Sequence, residues 1–272
     1  MIVAMDARVA TPRIRDLTRE QRWVWLSNLG IVVAFILVWQ FVLMVGEIES
    51  ILVPSPVEVG NEIVEITRSG LLLSAFVETM YPLSVGLVLG LTVGILVGLL
   101  LGMAPKIDAL SMPYVWGAFS TPDIALIPLV IMWLGFGPRA KIFMVFLAVM
   151  IPVALSARDG VRTLDEPMVR AAVSFCAGRR DLVLRIVLPG TIPSIATGVR
   201  NAISKGFAAV LVVEMTVASN GLGREVMYAM GQFNPARMFA FVVVLVILAM
   251  ALIAMSKRVE SYLGRWRAEV SL

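Results

Sequence analysis

Apolar residues gather in six long runs: Trp23–Val45, Ser74–Met103, Ile107–Phe136, Arg139–Leu155, Thr191–Ser219 and Met238–Ser256. A helix of about 20 apolar residues crosses the hydrocarbon of a bilayer. The pattern therefore predicts an all-α polytopic membrane protein with six transmembrane helices.

The intervals between the runs differ in charge. Arg8, Arg13, Arg15, Arg19 and Arg22 precede the first run, and Glu47, Glu49, Glu58, Glu62 and Glu65 follow it. Basic flanks favour the cytoplasm. This predicts a cytoplasmic leader over 1–22 that stays on the protein, because it lacks the short apolar core of a cleaved signal. Arg158, Arg162, Arg170, Arg179, Arg180 and Arg185 mark 156–190 as a cytoplasmic loop, and the basic tail 257–272 is also expected inside. Outside, ILVPSPVEVGNEIVEI carries Val59, Ile63 and Ile66 at helical spacing and predicts a short surface helix.

Two runs carry internal signals. Gly86, Gly90, Gly94, Gly98 and Gly102 recur every four residues. On a helix they lie near one face and permit close helix packing; a substrate path along that face is the other reading. The third run is broken by Pro113, Pro122 and Pro128. Proline removes a backbone donor and bends a helix, which is tolerated at membrane depth where the backbone is buried or lines a cavity.

Composition sharpens this picture. The chain has 272 residues, 59% of them hydrophobic and 15% charged. There is no histidine and one cysteine, Cys176, so an internal disulfide and a thiolate metal cluster are excluded. Cys176 reads as a small buried residue. No Gly-x-x-x-x-Gly-Lys-Ser/Thr loop is present, so no P-loop ATP site is expected in this chain. No catalytic constellation or metal site is expected either. The net charge of +4 reads as membrane topology and not as nucleic-acid binding.

Asp123, Lys205 and Glu214 fall inside apolar runs. Such charges are costly and usually face a bundle interior or a cavity. Lys205 and Glu214 are about 13 Å apart along a helix and do not pair with each other. Interhelical pairing, for example Asp123 with Lys205, is one reading; a place on a translocation path is the other. Lys205 suits an anion, whereas Asp123 suits a cation, a zwitterion or a neutral heterocycle. Tyr81, Trp116 and Trp133 fit interface anchoring or packing, with stacking on a planar solute as the alternative.

The cytoplasmic stretch MVRAAVSFCAGRRDLVLRIVLPG places Met168, Ala171, Ala172 and Phe175 on one helical face. Leu182 or Val183, Ile186 and Val187 form a second face, Cys176-Ala177-Gly178 can turn between them, and Pro189 suits the start of the next helix. Two short amphipathic helices result. They suit either a partner's groove or the lipid headgroups.

This stretch resembles the signature of permease subunits of ATP-binding-cassette (ABC) importers: Glu-Ala-Ala, three residues, Gly, nine residues, Ile-x-Leu-Pro. Ala171, Ala172, Ile186, Leu188 and Pro189 match it, while Arg170 stands at the Glu position and Cys176 at the Gly position. LVPSPVEV, PDIALIPLVIMWLGFG and VVEMTVASNGLG resemble the nitrate/sulfonate/taurine/bicarbonate branch. Glu214 matches a Glu of that pattern, and Asp123 replaces a typically apolar residue.

The resemblance implies a type I ABC importer permease fold, with 1–272 as one transmembrane domain in the bacterial inner (plasma) membrane. The loop would be the coupling helix, so that Arg170, Ala171, Ala172, Cys176, Ile186, Leu188 and Pro189 meet an ATPase. The implied partners are two ATPase subunits that bind ATP and Mg, a second permease copy or a related permease, an extracytoplasmic solute-binding protein and membrane lipid. The implied cargo is a small solute, anionic by family analogy, such as a sulfonate, nitrate or carboxylate. Asp123, Lys205, Glu214, Tyr81 and Trp133 are the candidates for its path. An ion-coupled secondary transporter is the alternative; it could use the same acids, but six spans is short for it and no inverted repeat is visible.

Overall fold

A computed structural model describes residues 14–46, 53–164, 166–175, 177–217 and 220–263. Among the described residues every regular element is a helix: α1 (Ile14–Val45), α2 (Pro56–Arg68), α3 (Leu71–Met103), α4 (Pro105–Ser120), α5 (Ile127–Leu134), α6 (Pro138–Arg162), α7 (Glu166–Ser174), α8 (Arg179–Leu182), α9 (Leu188–Val217), α10 (Leu222–Gly231) and α11 (Pro235–Leu263). A 3₁₀ turn, Asp123–Leu126, precedes α5, and a π turn, Val183–Val187, joins α8 to α9.

The glycine ladder of α3 sets the centre of the fold. It packs on α6, rung by rung, against Val145, Val149, Val153, Ala157 and Val161. A β-carbon at Gly86 would lie 2.6 Å from Val145 Cβ, one at Gly90 2.7 Å from Val149 Cγ1, and one at Gly102 2.6 Å from Val161 Cβ. Only glycine lets the two backbones approach this closely. The ladder is therefore a packing face. The opposite side of α6 meets α9 in the same manner, with Gly198 against Ser156, Gly206 against Val149, and Gly160 of α6 against Ser194. Val145, Val149, Val153 and Val210 are fully buried in the resulting core, which α11 extends through Ala240, Phe241 and Leu245.

The six apolar runs resolve unevenly. Four helical runs are long and apolar enough to cross a membrane: α3, α6, Arg180–Gly231 (which contains α9) and Pro235–Arg258 of α11. The expected single third span is instead two helices, α4 and the 3₁₀–α5 segment, bent by 90° and amounting to a fifth crossing if taken together. The break falls at Pro122, because the residue before a proline is pushed out of helical geometry; Thr121 is extended, with φ −72° and ψ 127°. Pro113 stays inside α4, and Pro128 sits in the first turn of α5, where a missing donor costs little. The first run, Trp23–Val45, lies wholly within α1. Its Ile31, Phe35, Phe41 and Met44 are exposed, while Trp39 meets Phe239 of α11 at 5.8 Å between ring centroids.

Several boundaries move. The loop expected from Ser156 begins later, because α6 continues to Arg162; Ala157 and Gly160 are buried against its neighbours and keep it helical. The second of the two expected amphipathic helices is not separate: α8 and the π turn run directly into α9. The turn expected after the fifth run contains α10, and α11 takes in Lys257 to Leu263 of the expected tail. The short helix predicted from Val59, Ile63 and Ile66 forms as α2. Ser55 and Glu58 close a reciprocal capping box at the start of α2, and Val59 and Ile66 are buried.

Candidate translocation cavity and coupling surface

The kink at Pro122 opens a cavity of about 250 Å³ where the end of α4 faces α6 and α9. Asp123 and Lys205 both line it, with Phe119, Thr121, Ile151 and Pro152. A second, adjoining cavity of about 180 Å³ shares Asp123 and Lys205 and continues past Met144 and Val212. The expected Asp123–Lys205 ion pair does not form. The Lys205 ammonium lies instead over the Phe119 ring, 4.2 Å from its centroid, an attraction of cation to aromatic face. Trp116 meets the same Phe119 edge-on at 5.7 Å.

Glu214 lies apart from this cavity. Its carboxylate is sealed at the end of the α3–α6–α9 core nearest α10, paired with Lys141 at 2.9 Å. The Thr79 hydroxyl donates to it at 3.0 Å, and the Gly223 backbone N–H donates to Oε2 at 2.9 Å. The Leu222 N–H in turn donates to Thr79 Oγ1 at 2.9 Å, and the Lys141 ammonium also donates to the Asn220 carbonyl. Gly221 passes directly over the carboxylate with φ +130°, and a side chain there would overlap it. One buried ion pair thus ties α3, α6 and α9 to the segment that leads into α10. Sequence reasoning missed Lys141, since it follows Arg139 by two residues and looks like the flank of a span. The signal was a lysine already one turn inside an apolar run.

Tyr81 and Trp133 do not line the cavity; their side chains are 58% and 65% exposed on outer faces.

At the other end, Asp108 in the first turn of α4 is buried and clamped by two arginines of α6. Arg158 meets it with two N–H groups at 2.7 Å each, and Arg162 adds a third contact at 2.6 Å. Paired, planar contacts of this kind are the strong form of a charged hydrogen bond. Sequence does not reveal this clamp, because Arg158 and Arg162 belong to the basic stretch 156–190 and nothing local marks Asp108 as their partner.

Beyond the clamp, α7 stands away from the bundle. Arg170 and Ala171 are exposed, Ala172 is half-buried, Met168 is exposed and Phe175 is 87% exposed. Ile186 and Leu188 are half-buried and Val187 is buried where the π turn enters α9; Pro189 is exposed. Cys176 lies outside the described residues. Met168, Ala171 and Phe175 thus form an exposed apolar face of the kind that marks a contact with another surface.

Known proteins place this architecture. The family model described as "Binding-protein-dependent transport system inner membrane component" matches residues 90–268. The taurine transport system permease protein TauC of Escherichia coli (strain K12) is 28% identical over 277 residues, covering 93% of this chain and 96% of that protein. The putative aliphatic sulfonates transport permease protein SsuC of the same organism is 33% identical over 217 residues, covering 78% of this chain and 81% of that protein. Among solved structures, an inward-facing MetNI methionine ABC transporter has a similar fold, with a TM-score of 0.65 at 20% identity over 72% of this chain and 98% of that one. The chain therefore belongs to the binding-protein-dependent inner membrane components: it is a multi-pass permease subunit of a type I ABC importer, and not itself an enzyme.

Proposed function

We propose that residues 1–272 act as one permease domain, forming half of the path for a small anionic organic solute. Lys205 carries this reading. It puts a cation midway along α9, about 26 Å from that helix's start at Leu188, on the wall of the cavity opened by the Pro122 kink. The relatives described as taurine and sulfonate permeases support the same class of cargo.

A second copy, or a related permease, closes the path from the other side. Two ATPase subunits, which bind ATP and Mg, dock below on α7 and the π turn through Arg170, Ala171, Ala172, Cys176, Ile186, Leu188 and Pro189. An extracytoplasmic solute-binding protein docks outside near α2 and α10, and both termini lie inside. Closure of the ATPases moves α7, and the membrane helices follow.

The test is ATPase activity of the complete assembly in nanodiscs, with and without the binding protein. Stimulation by the binding protein is expected, and a variant with Ala171→Asp and Phe175→Ser should lose it while still inserting in the membrane. Uptake that follows an imposed proton or sodium gradient without the ATPase would overturn the reading in favour of ion coupling.

A further inference from the structure

A charge, and not an apolar face, holds α4 to the rest of this chain. Asp108 alone among the residues of α4 is buried. Ile107, Leu110, Tyr114 and Trp116 are all more than half exposed, and Ser111, Met112 and Val115 are half-buried. By contrast α3, α6 and α9 are joined by glycine contacts and a valine core. Arg158 grips Asp108 through two N–H groups and Arg162 through one. Such a hold is directional: it fixes the carboxylate end of the helix and leaves the remainder free to follow.

The clamp also lies between two parts that must move together. Arg162 is the last residue of α6, and α7 begins four residues later at Glu166, at most about 14 Å of chain. Leu164, between them, packs against Gly190 near the start of α9. In the other direction α4 runs from Asp108 to Phe119, about 16 Å of helix rise, and Phe119 forms the cavity wall over which Lys205 lies. A single carboxylate thus joins the stem of α7 to a rod that ends at the cavity. Loss of its charge strands neither arginine: Arg162 is half exposed, and Arg158 keeps Asp159 as an acceptor.

We infer that Asp108 is a positioning residue for coupling: through Arg158 and Arg162 it passes the displacement of α7 into α4, and so into the cavity wall at Phe119. The inference rests on the importer reading above and adds the route by which closure of the ATPases reaches the solute path. A clamp that only stabilised the fold would lower the unfolding temperature when lost and leave the displacement of α4 unchanged.

The complete assembly in nanodiscs, with its ATPases and binding protein, tests it. Spin labels at Tyr114→Cys of α4 and Ile247→Cys of α11, in a Cys176→Ser background, report the position of α4 without nucleotide and after trapping with ATP and vanadate. Both label sites are exposed. With the clamp intact their separation should change on trapping, as a helix shift. Asp108→Asn should cut that change by at least half and lower stimulation of ATPase activity by the binding protein at least fivefold, with basal activity within twofold. Asp159→Asn, which leaves both arginines on Asp108, should alter neither readout. If Asp108→Asn does not assemble, Arg162→Gln, at the exposed arm of the clamp, is read in its place and should cut the change by at least a third. A label pair that stays fixed on trapping with the clamp intact overturns the inference. A smaller cut than these also overturns it, whatever happens to the unfolding temperature. Absence of binding-protein stimulation with the clamp intact is a different result, which removes the importer reading itself.

Discussion

Lys141 of α6 and Glu214 of α9 form an ion pair 2.9 Å long from which both side chains are almost wholly withdrawn from the surface. Breaking such a pair from one side leaves an uncompensated buried charge and costs about 3–5 kcal/mol. Glu214→Leu should therefore sharply lower the unfolding temperature in detergent. Adding Lys141→Met should recover part of the loss, because the stranded ammonium disappears. If the double variant is as unstable as the sum of the singles, the pair is not a coupled unit.

The contact between Gly90 and Val149 makes a second prediction. Gly90→Leu forces α3 and α6 apart and should destabilise by about 1–3 kcal/mol, the usual range for overpacking. Val149→Ala should rescue it in part, since it removes Val149 Cγ1, the atom nearest a β-carbon at Gly90, while Val149 Cβ and the Phe146 carbonyl oxygen stay in place. Gly60→Ala, with open space around its α-carbon, is the control and should be near neutral in the same thermal scan.

Arg158 separates a strong ion pair from a weak one. It reaches buried Asp108 with two N–H groups and Asp159 with one, and the Asp159 side chain is 58% exposed. Lysine cannot reproduce the planar fork. Arg158→Lys should cost about 1.5–3 kcal/mol, the range for a charged hydrogen bond, and raise hydrogen exchange at the start of α4. Asp159→Asn should change either readout little, as expected of an exposed pair. Equal effects of the two variants would refute this ranking.

Arg170 tests the coupling surface. It is exposed on α7 and carries a charge opposite to that of the signature it resembles. Against its own ATPase, Arg170→Glu should weaken association at least tenfold, because the partner's groove would carry the compensating acid. A titration in nanodiscs reads this directly. Tighter association of the variant would show that no such compensation exists.

The two kinds of signal in the chain differ in how local they are. The glycine ladder, the capped α2 and the amphipathic α7 repeat over one or two helical turns, so periodicity reveals them. The kink was legible as prolines, but its angle was not, because only packing of α5 on α6 decides how far Pro122 bends the chain. Lys141 with Glu214, and Asp108 with Arg158, join residues 73 and 50 positions apart. Nothing near each residue marks its partner. Asp123 and Lys205 were visible as misplaced charges. That they share a cavity without pairing, with Lys205 lying over the Phe119 ring, is a product of the tertiary packing.

The sandwiching of α6 has a mechanical consequence. With the glycines of α3 on one side and close backbone contacts to α9 on the other, α6 has no room to slide along either neighbour. The α3–α6–α9 block should then turn as a single unit, with the bend at Pro122 beside it. A cysteine cross-link placed between α3 and α6 should be silent during turnover, whereas one between α5 and α9, across that bend, should arrest it.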